Sequence, residues 1–221
     1  MRPAALLTVT ISLVLTAATG AAQQQSAPQV AAALQAKYDR ISDFTADFTQ
    51  HYQSGVLKRK TTERGTLQVK KPGRMRWDYT SPEKKLFVSD GSRIWLYVPA
   101  DKQATVTPVP PQDEATTAVL FLVGKGNLAR DFSVSFLDKP EPGTLGLRLQ
   151  PKLPERDYDW LEIVVDASSL QIRSLTAADR QGGQSTFVLS NVKENVGLTD
   201  KTFAFTLPRG TDVIQAGKSS R

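Results

Sequence analysis

A two-residue alternation that begins at Phe44 and persists almost to the end constrains this chain more than any other feature. In FTADFTQHY, Phe44, Ala46, Phe48, Gln50 and Tyr52 fall on one side, with Thr45, Asp47, Thr49 and His51 on the other. A strand presents that period and a helix does not. Gly65, Leu67 and Val69 continue it in a second strand. After the Lys71-Pro72-Gly73 turn, Met75, Trp77 and Tyr79 share one side of a third strand, opposite Arg74, Arg76 and Asp78. Ser89-Asp90-Gly91-Ser92 is hairpin chemistry between LFV and RIWLYV. Further strands are predicted near 103–108, 131–137, 144–150, 159–166, 170–178, 185–193 and 202–207, with turns at Asp138 to Gly143 and at Gln181-Gly182-Gly183. Short strands at this spacing predict one large antiparallel sheet that curls on itself, with no internal domain boundary.

Two segments interrupt the alternation. Residues 28–41 place Val30, Leu34, Tyr38 and Ile41 at helical spacing, with Pro28 suited to a first turn, so an amphipathic helix is predicted there. Residues 113–123, DEATTAVLFLV, follow the stiff stretch PVPPQ and read as a second helix with acids at its start. Val119 to Val123 are apolar all round, which demands burial on more than one side. A curled sheet with helices on one side meets that demand.

The first 22 residues lie outside the fold. Met1-Arg2-Pro3 is basic, residues 4–19 carry no charge, and Gly20-Ala21-Ala22 supplies small residues before Gln23. This is the pattern of a secretory signal peptide over 1–22, leaving 23–221 as a single domain. A membrane anchor is the alternative, and the apolar run falls short of the ~20 residues a spanning helix needs.

Composition removes most chemistry. The chain has no cysteine, so disulfides, thiolate metal sites and a Cys nucleophile are excluded. Its one histidine, His51, sits on the polar side of a strand, a surface position rather than a triad member. Glu155, Asp157, Asp159 and Glu162 could pair as hydrolase carboxylates, but they flank Pro154 at a strand entry, where a solvated turn is the simpler reading. With no phosphate loop and no metal-ligand spacing, the expectation is a protein that is not an enzyme and takes no cofactor or metal. The net charge of +6 is mild, and export makes nucleic acid an unsuitable partner.

Two concentrations stand out. From Lys58 to Lys85, ten basic residues face three acidic ones, a local +7 that leaves the rest of the secreted chain negative. Lys58, Arg59, Lys60, Arg74 and Arg76 are candidates to dock an acidic partner or anionic head groups. Phe44, Phe48, Tyr52, Trp77, Tyr79, Phe87, Trp95 and Tyr97 all fall in the first five elements after the helix. A single sheet with few helices to cover them would leave an apolar concavity that needs a guest.

Four segments in order, FTADFTQ, GTLQVKKPGRMRWDY, LFVSDGSRIWLYVP and FAFTLPRGTDVI, together resemble the periplasmic outer-membrane lipoprotein carrier family, LolA, over roughly residues 30–215. The resemblance implies a mainly β fold with α-helices: a half-open antiparallel barrel of about 11 strands with a helical lid over an apolar cavity. It implies a monomeric periplasmic carrier. Such a carrier takes lipoproteins by their acyl chains from an inner-membrane ABC-type release complex and delivers them to an outer-membrane receptor lipoprotein. A lipid- or glycolipid-binding or sensor module of the same fold is the alternative. The acyl-chain residues it points to are Phe44, Phe48, Leu67, Met75, Trp77 and Trp95 on the sheet, and Leu120 and Phe121 on the lid. Lys71 stands where the family often has an arginine that latches the lid, and Ala118 where it commonly has proline. Lysine keeps the charge and loses the planar fork.

Overall fold

The computed structural model describes residues 25–109, 126–155 and 158–215. Helix α1 spans Ala27–Arg40, with the Gln29 side-chain oxygen accepting a 2.7 Å hydrogen bond from the Ser26 amide at its start. Its buried stripe is the predicted one: Val30, Leu34 and Tyr38, joined by Ala27 and Ala31. Each fully buried Leu or Val contributes about 1.5–3 kcal/mol, so a charge at Leu34 would strip the helix from the sheet.

Six strands follow in a meander: β1 (Asp43–Gln53), β2 (Lys60–Lys70), β3 (Arg74–Ser81), β4 (Lys85–Asp90), β5 (Arg93–Val98) and β6 (Gln103–Pro108). After the short helix Leu128–Asp131, a second meander runs through β7 (Phe132–Phe136), β8 (Thr144–Pro151), β9 (Trp160–Asp166), β10 (Ile172–Ala178) and β11 (Gln184–Glu194). β11 returns to pair antiparallel with β1, a long-range ladder that joins the two meanders. The result is a twelve-stranded sheet in the order β12-β6-β5-β4-β3-β2-β1-β11-β10-β9-β8-β7, where β12 is Asp212–Gln215. Its edges β12 and β7 do not pair with each other, so the sheet stays open rather than closing into a barrel.

The C-terminal part differs from expectation. Residues 202–207 are not a strand: Asp200–Phe203 forms a 3-10 turn and the chain then runs on without a ladder. The alternation there is real, since Phe203 is buried and Phe205 half-buried while Ala204 and Thr206 are exposed, but it reflects packing onto the sheet rather than pairing within it. The strand that does form, β12, runs parallel to β6 and all four of its residues are exposed, so it carries no alternating signal. Among the described residues the sheet has twelve strands. Among the described residues no helix is long and apolar enough to cross a membrane. The predicted signal peptide and the predicted helix at 113–123 lie outside the described residues.

Candidate functional site

Cross-strand register gathers five of the predicted residues on one face. Phe44 pairs with Val69 and Val69 with Met75; Ala46 pairs with Leu67 and Leu67 with Trp77; Phe48 pairs with Gly65 and Gly65 with Tyr79. Directly opposed residues point to the same side, so Phe44, Phe48, Leu67, Met75 and Trp77 form one continuous apolar surface. All five are buried and belong to the main core with α1. The Phe48 ring meets Trp77 and Tyr79 edge-on, each at 4.9 Å between centroids, and Phe187 of β11 lies 5.0 Å from Trp77. Gly65 makes room for this: a Cβ there would fall 2.9 Å from Phe48 Cε1 and 2.0 Å from the Asp78 carbonyl oxygen.

Trp95 does not join them. Trp77 pairs with Phe87, and the next residue, Val88, pairs with Trp95. Period two then sends Val88 and Trp95 to the opposite face. There Trp95 is buried against the C-terminal segment, its ring 6.4 Å from that of Phe205, which also lies 5.7 Å from Tyr97. The residue on the inner face is its neighbour Leu96, which pairs with Phe87. Ile94, Trp95, Leu96 and Tyr97 are apolar in succession, so alternation alone does not orient this strand.

The inner face has two unequal halves. Over β7, α1 and the short helix Leu128–Asp131 pack together, and the neighbouring Leu147, Leu149, Leu161, Ile163 and Leu175 are fully enclosed. Over β1 to β5, cover thins along the ladder: Trp77 is 3% exposed, its partner Phe87 half-buried, and Leu96 beyond it 40% exposed. Tyr79, Phe87 and Phe187, none of which was singled out as a site residue from sequence, extend this aromatic half. The Tyr79 hydroxyl on this face is tied down, donating to Gln50 Oε1 at 3.0 Å. Burial, with Glu63 adding to it, pushes the Tyr79 phenol well above its ordinary range, so it stays a neutral donor. Leu120 and Phe121, the candidates from the lid, lie outside the described residues.

Lys71 sits at the rim where the β2–β3 turn meets the end of α1. Its Nζ donates to the backbone carbonyl of Tyr38 and stands 5.9 Å from the centre of that ring. Burial lowers its pKa from the ordinary lysine value, opposed by nearby Asp39. Tyr38 is held from the other side too, its hydroxyl accepting from the Ile172 amide at 3.3 Å.

The basic candidates separate. Arg76 is paired with Asp78 at 2.7 Å and Arg74 lies 3.7 Å from Asp200, which also takes Lys70 at 2.6 Å. Lys58, Arg59 and Lys60 make no ion pair among the described residues and are exposed at the β1–β2 tip. His51 is exposed, with Nδ1 3.2 Å from Thr62 Oγ1, beside a shallow depression of about 280 Å³ lined by polar side chains. Of the acidic cluster, Asp159 is exposed and 3.7 Å from Arg180, Glu162 pairs with Arg148 at 2.8 Å, and Asp157 lies outside the described residues.

Known proteins place this architecture. A solved structure of an uncharacterized conserved protein from Thermus thermophilus matches with a TM-score of 0.53 at 12% identity, covering 85% of this chain and 98% of that one, a likeness of fold. The outer-membrane lipoprotein carrier protein of Hahella chejuensis is 30% identical over 93% of this chain and 97% of its own length. That of Chromohalobacter salexigens is 27% identical over 94% of each. The family model described as outer membrane lipoprotein carrier protein LolA matches residues 39–206. With the open sheet, the α1 contact at Lys71 and the aromatic inner face all inside or bordering that span, the chain belongs to the LolA family of outer membrane lipoprotein carriers.

Proposed function

We propose that this protein is a periplasmic carrier that binds the acyl chains of lipoproteins on the inner face of its open sheet. The observation that carries the reading is the aromatic half over β1 to β5. It is an apolar surface continuous with the core, yet its outer members Phe87, Phe187 and Leu96 are only partly covered. Phe44, Phe48, Leu67, Met75 and Trp77 form its floor, and the sequence candidates Leu120 and Phe121 lie outside the described residues. Trp95 is left out of the site, because it supports the sheet from behind.

Each CH₂ moved from water into such a surface is worth about 0.8 kcal/mol, so two or three long chains carry a penalty on the order of tens of kcal/mol in free solution. A lipoprotein does not cross an aqueous gap alone at that cost. The aromatic half offsets it by lending apolar surface, and no covalent step is needed. Direction without ATP follows if the site binds chains well but more weakly than its acceptor. Elements of the chain that occupy the site when it is empty would set that balance by competing with cargo.

In this reading residues 1–22 direct export and are removed. The donor is an inner-membrane ABC-type release complex and the acceptor an outer-membrane receptor lipoprotein. Lys71 tethers the C-terminal end of α1 through the Tyr38 carbonyl and limits how far that helix can swing. The test is incubation of the purified protein with spheroplasts. Release of lipoprotein into the soluble fraction as a one-to-one complex is expected. Recovery of free lipid or glycolipid instead of acylated protein would favour a lipid-binding module of the same fold.

A further inference from the structure

We infer that the β1–β2 tip is a membrane-docking element that seats on an anionic lipid bilayer. The tip is the six-residue loop Ser54-Gly55-Val56-Leu57-Lys58-Arg59 between β1 and β2. Val56 and Leu57 at its apex are each 81% exposed, and among the described residues no large apolar side chain is more so. Lys58, Arg59 and Lys60 follow at once, all exposed and without an ion pair among the described residues.

The loop is built rather than slack. The Ser54 amide donates to the Arg59 carbonyl at 2.9 Å, and the Arg59 amide donates to Ser54 Oγ at 3.1 Å, which closes its neck. Lys58 is held in the left-handed region at φ 52°, where a lysine is uncommon. Gly55 braces the loop from below. A Cβ there would fall 1.8 Å from the Gln181 carbonyl oxygen of the β10–β11 turn, so the backbone of the tip rests directly on that turn. Two apolar side chains are thereby held outward in water on a fixed support, with three cations at their base.

A bilayer accepts both parts at once. Hydrocarbon below the head groups takes Val56 and Leu57, while anionic head groups surround the cations. A polar protein surface would satisfy the charges and leave the apex unpaired. Each cation near an anionic membrane is worth about a fivefold gain in partitioning, so three give roughly a hundredfold. That is enough for transient seating and too little for permanent anchorage, which suits a protein that has to leave again. Arg74 and Arg76, committed to Asp200 and Asp78, take no part.

The experiment is flotation of the full-length secreted protein, free of cargo, with vesicles of phosphatidylcholine containing phosphatidylglycerol. Binding that falls with added salt is expected, with no binding to phosphatidylcholine alone. The triple variant Lys58→Gln, Arg59→Gln, Lys60→Gln should lose about a hundredfold in affinity. The double variant Val56→Ser, Leu57→Ser should bind the anionic vesicles several-fold more weakly than wild type at the same salt concentration. Both should unfold at the wild-type denaturant concentration, because the side chains are exposed. A tryptophan at position 57 (Leu57→Trp) should shift its emission to the blue only with the anionic vesicles. Absence of vesicle binding, equal binding to neutral vesicles, or full binding by either tip variant overturns the proposal. Cargo release by the same variants reads the carrier function separately, so failure here leaves that reading standing.

Discussion

Trp77 and Trp95 lie on opposite faces of the sheet although only strand β4 separates their strands. Trp77 faces α1's side and packs on Phe48 at 4.9 Å, whereas Trp95 faces outward and meets Phe205 at 6.4 Å. The two residues therefore fail differently when changed. Trp95→Ala should lower stability by about 3–5 kcal/mol through the cavity it opens, with the folded fraction still taking cargo. Leu96→Glu, on the inner face and already 40% exposed, should cost little stability. It should reduce lipoprotein uptake by more than about tenfold, since a carboxylate would have to lose its water to hydrocarbon. Denaturant unfolding and a soluble-release assay on both variants check the contrast.

Gly65 is a packing position. Its missing side chain lets the Phe48 ring and the Asp78 carbonyl approach, and the β2–β3 ladder shifts register between Arg64 and Gly65. Gly65→Ala should destabilise the protein by about 1–3 kcal/mol, the usual cost of overpacking a well-filled site, because the nearest obstacle is backbone and cannot swing aside. The loss should appear in urea unfolding, accompanied by a change in the near-ultraviolet signal of the Phe48–Trp77–Tyr79 cluster.

Lys71 holds the end of α1 without being its only support, since the Tyr38 carbonyl also accepts from the Ile41 amide at 3.1 Å. Removing the lysine orphans no buried acceptor. Lys71→Met should therefore change global stability by less than about 1 kcal/mol while speeding amide exchange in the last turn of α1, and Lys71→Arg should leave exchange near wild type.

The lowered pKa of Lys71 gives that residue a pH signature. Between its depressed folded value and the ordinary 10.5, the unfolded chain binds the proton more tightly than the folded one. Its contribution to stability accordingly rises as pH rises through that window and is lost as pH falls below it. Unfolding free energies measured from neutral to alkaline pH should show a smaller rise for Lys71→Met than for wild type. Identical slopes would place the lysine in ordinary solvent.

Much of this was legible in the chain. Alternation at Phe44–Tyr52 and Met75–Tyr79 marked both the strands and the buried side, because a half-buried antiparallel strand writes its environment directly into every second residue. The same rule could not orient Ile94 to Tyr97, where both faces are apolar: one lies toward the inner half and the other lies under Phe205. Only the register Trp77–Phe87–Leu96 decides that, and register is a long-range property. β12 was invisible because an exposed edge strand has no hydrophobic side to show. The partition of the basic segment was equally hidden. Asp200, which takes Lys70 and Arg74, comes 130 positions after Lys70 in the chain.

Neighbouring positions on β5 give the most direct measurement. A photo-crosslinking side chain placed at Leu96 faces the aromatic half, and the same probe at Tyr97 faces away from it. Irradiation during lipoprotein release from membranes should join cargo to the Leu96 probe and leave the Tyr97 probe unreacted, both proteins remaining folded. Equal labelling at the two positions, or labelling at Tyr97 alone, would contradict a carrier whose cargo lies on the inner face of the open sheet.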